Sequence, residues 1–264
     1  MIVAFHYRQP FTRQLAMAEA LSKGLGSDQL AISQGDPRHA LADALVLYGI
    51  GGMSREIWDA YDDKPRILID KGYARKGFMR VTVNEFHSLN WLQMADPPAD
   101  RLEMTGWQTK PYSLDGTHIL LDGLSGKYCR WFGFDRDEWV RQAVEAIRMA
   151  SDLPILVRPR PSHNPPPPVP KGTILDVGPL ADSLAKARVV VSHGGNLGCD
   201  AVINGRAHCA FGPSPARPIS GPIDPPRVPT DAQRHRWMKA LAYCQYSMDE
   251  IADGTMWKWV RAQL

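Results

Sequence analysis

Apolar positions in the first part of the chain fall in short runs, and between them the apolar residues recur at helical spacing. Residues 2–7 read as a strand, 14–25 as an amphipathic helix, 30–33 as a strand, and Ala44–Tyr48 as a strand running into Gly49, Gly51 and Gly52. Ser54 is placed to cap a helix through Tyr61, and 66–70 is a further buried strand. Residues 81–110 carry no clear period and read as irregular structure near a junction.

A second alternating series begins after Ser113. Strands are expected at 117–121, 154–158, 173–177, 189–192 and 207–211, with helices at 137–151, 180–187 and 196–204. Residues 231–243 and 248–261 read as two closing helices. Strand–helix alternation of this kind implies βαβ units and mainly parallel sheets. The expected architecture is therefore α/β, with two Rossmann-like lobes facing across a cleft. The expected boundaries are 1–113 for the first lobe, 114–230 for the second and 231–264 for the closing helices. Ligands of such sheets sit beyond the carboxyl ends of the strands, so the residues that follow strands are the ones to inspect.

Composition narrows the class. With 264 residues, 44% of them hydrophobic and 22% charged, the chain can bury a full core, so disorder and coiled coil are poor descriptions of it. A net charge of +3 is too small to imply nucleic acid without a local basic patch. Cys129, Cys199, Cys209 and Cys244 form no CxxC pair and read as reduced, buried thiols. The first residues turn polar too quickly for a signal peptide, and no apolar run reaches bilayer length. A cytoplasmic protein without membrane contact is expected, in a host cytoplasm if the gene is a phage's. The sequence identifies no protein partner.

The densest chemistry lies at Val-Val-Val-Ser-His-Gly-Gly-Asn-Leu-Gly-Cys-Asp, residues 189–200. A β-branched run ends at His193, glycines follow at 194, 195 and 198, and a helix then opens whose free N–H groups favour an anion. An ordinary tight βα turn is the plainer alternative. The turn resembles the donor-binding turn of glycosyltransferases of the GT-B type, with His193, Gly194, Gly195, Asn196 and Asp200 in matching positions. Residues 207–214 resemble the strand and loop that follow it. The tail from Trp237 to Trp257 is similar to capsule-polysaccharide-type transferases and related phage proteins that modify DNA. The resemblance covers the chain from about Ser113 onward. It implies a nucleotide sugar as donor substrate, a UDP-sugar foremost, with no other cofactor.

Other residues are read beside that turn. Strand 154–158 runs into Arg158, Arg160 and His163, where guanidinium groups can meet phosphate in pairs of bonds or simply lie solvated. Such basic strand ends resemble those on which these transferases lay a diphosphate. Residues 122–127 lack Walker A spacing and read as a turn; the resemblance adds Ser125 and Gly126 as phosphate contacts. Asp70, at a strand end, is the expected base for an acceptor hydroxyl, with His6 as competitor and His87 third. Asp135 and Asp137 match an Asp-x-Asp metal pattern but stand at a helix start, so they read as capping. No metal is expected, Arg158 and the helix N-terminus supplying positive charge instead.

Lys71, Tyr73, Arg75, Lys76 and Arg80 follow Asp70 as cations interleaved with an aromatic ring, a pattern that suits a DNA acceptor or a merely solvated loop. A hydroxymethylated pyrimidine in DNA and a soluble saccharide thus both stand as acceptors. A sugar-nucleotide epimerase and a non-catalytic nucleotide- or DNA-binding module are the alternatives from other classes.

Overall fold

The computed structural model describes residues 1–6, 12–33, 42–73, 77–160 and 169–264. In chain order the elements begin with β1 (Ile2–His6), α1 (Thr12–Gly24), β2 (Gln29–Ser33), β3 (Ala44–Tyr48), α2 (Ser54–Asp59), β4 (Arg66–Lys71) and β5 (Phe78–Val83). There follow α3 (Leu89–Met94), α4 (Asp100–Thr105), β6 (His118–Asp122), α5 (Gly126–Phe132), α6 (Arg136–Ala150), β7 (Ile155–Arg158), β8 (Ile174–Leu175) and α7 (Leu180–Lys186). The chain ends with β9 (Ala187–Ser192), α8 (Leu197–Ile203), β10 (Ala207–Ala210), α9 (Asp231–Ala242), β11 (Gln245–Ser247), α10 (Met248–Ala252) and α11 (Thr255–Arg261).

These elements form two compact units, Met1–Ser88 with Leu241–Leu264, and Leu89–Ala240. The first holds a six-stranded sheet in the order β11-β5-β4-β3-β1-β2. Its four central and N-terminal strands are parallel, whereas β5 runs antiparallel to β4, and β11 antiparallel to β5. Met17, Ala18 and Leu21 of α1 pack with Val3, Phe5, Val46 and Ile69 of the sheet, and Trp257 and Val260 of α11 join the same core. Against the expectation of irregular structure, β5 occupies the start of 81–110. Arg80 and Thr82 are buried in it, and that polar content hid the strand from a hydrophobic pattern.

The second unit holds a five-stranded, wholly parallel sheet in the order β10-β9-β6-β7-β8. Alternate residues separate to its two faces. Ile119, Leu121, Val189 and Val191 meet Val140, Val144 and Ile147 of α6 on one side. Leu120 and Val190 meet Leu184 of α7 and Leu197 and Ala201 of α8 on the other. A parallel sheet needs both faces covered, and the β-branched runs read from the sequence reflect that.

The unit boundaries differ from those expected. Lys110 N bonds to Ile203 O and Ser113 N to Gly205 O, which ties the segment before Ser113 to the second unit. The closing helices divide as well: Trp237 Nε1 of α9 donates to Pro215 O in the second unit. Val81 N bonds to Cys244 O in the first, and a Cβ on Gly24 would lie 1.8 Å from Ile251 O. The single helix expected over 248–261 breaks at Gly254, whose φ of 87° is left-handed. Residues 122–127, expected as a turn, instead run into α5 from Gly126 onward. The cap expected at α2 also differs: Met53 is the N-cap and Ser54 Oγ donates to Gly51 O at 2.6 Å. Asp135 does cap α6, accepting from the N–H groups of Asp137 and Glu138, both at 2.9 Å. Among the described residues no helix is long and apolar enough to cross a membrane.

Candidate functional site

Strands β6, β7 and β9 of the second unit end side by side in Asp122, Arg158 and Ser192, since all run parallel. Asp122 is a residue that the sequence pattern does not single out. Its Oδ1 accepts the N–H of Leu124 at 3.2 Å, fixing a turn in which Leu124 takes a left-handed φ of 52°. Its Oδ2 is buried and has no hydrogen-bond partner among the described residues. Burial pushes this carboxyl above the usual carboxylate range, and the nearby Arg160 guanidinium opposes the rise.

Gly195 joins this group to the turn after β9. A Cβ there would lie 2.5 Å from Arg160 Nη2 and 2.5 Å from Asp122 Oδ2, so any side chain would displace a charged group. Gly194 and Gly198 are likewise demanded by packing. Their Cβ atoms would stand 1.9 Å from Tyr128 Oη and 2.7 Å from His208 Nε2, respectively. All three glycines therefore serve close approach of side chains, and none lies at positive φ.

His193 sits on an aromatic wall. Tyr128 Oη is 2.8 Å from its Nδ1, and the rings of Tyr128, Phe132, Phe134 and Trp139 surround it with centroids 4.9–5.7 Å away. Burial draws the imidazole down to about 4, so it is neutral near pH 7 and can accept or donate without bringing charge. Beneath the turn, buried His208 lies 2.8 Å from Ser192 Oγ and 2.7 Å from Ser220 Oγ. Burial lowers His208 to about 3. Fully enclosed, it holds β9, β10 and the following loop in register.

The remaining expected donor contacts divide. Arg158 Nη1 bonds to Asp176 Oδ2 at 2.6 Å and to Gly178 O at 3.0 Å, so its charge is answered inside the unit. Arg160 instead stands at Gly195. Ser125 is the N-cap of α5, accepting from Tyr128 N, and Gly126 is that helix's first residue. Asn196 is the N-cap of α8, with no side-chain bond to the helix, and Asp200 lies in its first turn. His163 lies outside the described residues.

In the first unit the expected groups are drawn together differently. Asp70 Oδ2 pairs with Arg80 Nη2 at 3.2 Å, with Arg80 buried and Asp70 27% exposed. Arg80 Nη1 is 3.0 Å from His87 Nδ1, which is also 2.9 Å from Tyr73 Oη, and the guanidinium lies 4.3 Å over the Phe86 ring. Tyr73 and Arg80, expected to guide an acceptor, are thus buried at 2% and 4% exposure. Lys71 is exposed at the end of β4, His6 is partly buried at the end of β1, and Arg75 and Lys76 lie outside the described residues.

A wholly parallel, two-faced sheet with polar side chains gathered at its carboxyl edge defines the class of open α/β folds, in which that edge is the usual place for ligands. No family model and no curated protein sequence matches the chain. Solved structures do share the fold. One is the Thermosulfurimonas dismutans KpsC beta Kdo 2,4 transferase, with a TM-score of 0.54 and 12% identity, covering 94% of this chain and 92% of that one. Another is the KpsC beta Kdo 2,7 transferase of the same organism, with a TM-score of 0.53 and 12% identity over 100% of this chain and 99% of that one.

Proposed function

We propose that the chain is a glycosyltransferase that takes a sugar from a nucleotide-sugar donor to a hydroxyl of a saccharide. The observation that carries this reading is the meeting of Asp122 Oδ2, Arg160 and Gly195 at the carboxyl edge of the second unit. The fold shared with the two Kdo transferases supports it. In this reading the backbone N–H groups of Gly194, Gly195 and Asn196, with Arg160, hold the donor's phosphate, and His193 lines the site as a neutral imidazole. Asp122 presents a carboxyl beside that phosphate, able to pass a proton at the bond that breaks. Asp70, fixed by Arg80, is the acceptor-side base, with His6 next in line. Positive charge from Arg160 replaces a metal.

A saccharide is preferred to DNA because Tyr73 and Arg80, two of the five residues meant to meet a nucleic acid, are engaged in the internal cluster around His87. The experiment incubates the protein with a panel of nucleotide sugars and measures donor hydrolysis alone, then the mass of saccharide and hydroxymethylated-DNA acceptors. Asp122→Asn is expected to lose both hydrolysis and transfer, and Asp70→Asn transfer alone. Epimerised donor without transfer would make the protein an epimerase; no turnover of any donor would leave a binding module.

A further inference from the structure

The second unit has a cavity of about 600 Å³ whose lining residues include Trp107, Lys110, Tyr112, Arg234, His235 and Met238. It is distinct from the site around Asp122. Lys110 N bonds to Ile203 O and Ser113 N to Gly205 O, and Arg206 Nη1 reaches Ser113 O and Ala187 O, both at 3.4 Å. Ala187 begins β9 and Gly205 precedes β10, so this segment lies at the amino edge of the sheet. Asp122 and His193 lie at the carboxyl edge.

The chemistry of the lining is specific. Arg234 is buried and its donors are fixed: Nη1 to Lys110 O and Nη2 to Asp231 Oδ1, both at 2.7 Å. Its guanidinium lies 4.2 Å over the Tyr112 ring. The Tyr112 hydroxyl is itself buried, and burial pushes it up to about 12 while the Arg234 guanidinium opposes the rise. Trp107 is half-buried, offering indole surface next to polar groups. The acids nearby are answered, Asp231 by Arg234 and Asp96 by Lys239 at 2.6 Å. Lys110 makes no ion pair among the described residues and leaves a cation at the rim, with the His235 imidazole beside it in the lining.

We infer that this cavity is a second binding site, for an acidic oligosaccharide, on the amino edge of the second unit. Its volume falls in the range of sites that enclose a small ligand, about 300–1,000 Å³. Sugar rings present apolar C–H faces to Trp107 and Met238, while a ring carboxylate meets Lys110, with His235 beside it. A neutral sugar would leave the Lys110 ammonium unanswered. A nucleic acid would require a run of cations along a groove, which Lys110 by itself does not form.

The site is independent of the donor chemistry and stands whether or not the chain transfers sugar. Calorimetry on the full chain with trigalacturonate, which carries a carboxylate on every ring, and with neutral maltotriose tests it. Trigalacturonate is expected to bind at least about tenfold more tightly than maltotriose, and Trp107→Ala to weaken it about tenfold or more. Lys110→Ala should weaken it about threefold and reduce its salt dependence. Donor hydrolysis at the opposite edge should not change in either variant. Absence of trigalacturonate binding, equal binding of maltotriose, or binding indifferent to both substitutions overturns the inference. Loss of donor hydrolysis in the unsubstituted protein bears only on the reaction proposed above.

Discussion

The two units end their strands in similar residue types and treat them in opposite ways. In the first, Asp70, Arg80, His87 and Tyr73 are linked in a chain of contacts that runs inward from the end of β4, with only Arg80 Nε of that guanidinium left without a partner among the described residues. In the second, Asp122 keeps one carboxyl oxygen buried without a partner among the described residues, beside Arg160 and a glycine whose Cβ would press on both groups. A buried carboxyl oxygen left unpaired costs more than one nitrogen of a guanidinium whose other nitrogens are engaged, so Asp122 points to a ligand, while the first-unit cluster fixes Asp70 in place.

The sharpest test of that contrast exchanges charge for shape. Asp122→Asn keeps the acceptor for Leu124 N and removes the titratable carboxyl. Turnover is expected to fall by about 10²-fold or more, with thermal stability unchanged or higher. Full turnover in the Asp122→Asn variant would return the site to the first unit. Arg80→Ala is expected to act the other way. Removing the cation leaves Asp70 unanswered and strips the ring of Phe86 and the imidazole of His87, at a cost of about 2–3 kcal/mol in denaturant unfolding.

Gly195→Ala sharpens the comparison within the second unit. The new methyl must displace Arg160 or Asp122, so donor affinity measured by calorimetry should drop about tenfold or more, while Gly126→Ala, whose Cβ would meet only Arg130 Nη1 at 3.6 Å, should leave it unchanged.

The smallest effect is graded with pH. His193 and His208 are held neutral by burial at about 4 and about 3, against an ordinary value of 6.5. The unfolded chain therefore takes up protons first. The stability these histidines confer is complete above about pH 6.5 and is lost as pH falls, by up to about 1.4 kcal/mol per pH unit for each. Asp122, whose carboxyl is raised, acts with the opposite sign. Urea titrations between pH 7 and 4 should show the decline, and His208→Gln should flatten it; an unchanged slope in that variant would mean that another group titrates.

Legibility in the sequence followed the physics of each element. The parallel strands 66–71, 118–122 and 187–192 were visible because both their faces are covered and their central residues are apolar. Strand β5 was not, because Arg80 and Thr82 are buried through partners that pattern alone does not reveal. The turn after β9 was visible through His193 and its glycines. Asp122 was hidden because a carboxylate after a strand looks like any other until its surroundings are known.

The sequence by itself thus determined the α/β class, the cap at Asp135 and the turn at His193, all of which rest on neighbours within a few residues. Only the tertiary structure decided that Arg158 is consumed by Asp176, that Arg160 and Asp122 converge on Gly195, and that the segment after Leu241 completes the first unit. These depend on which distant groups are brought within hydrogen-bond range, and whether a charge is answered or left open is settled by that proximity, which no local spacing encodes.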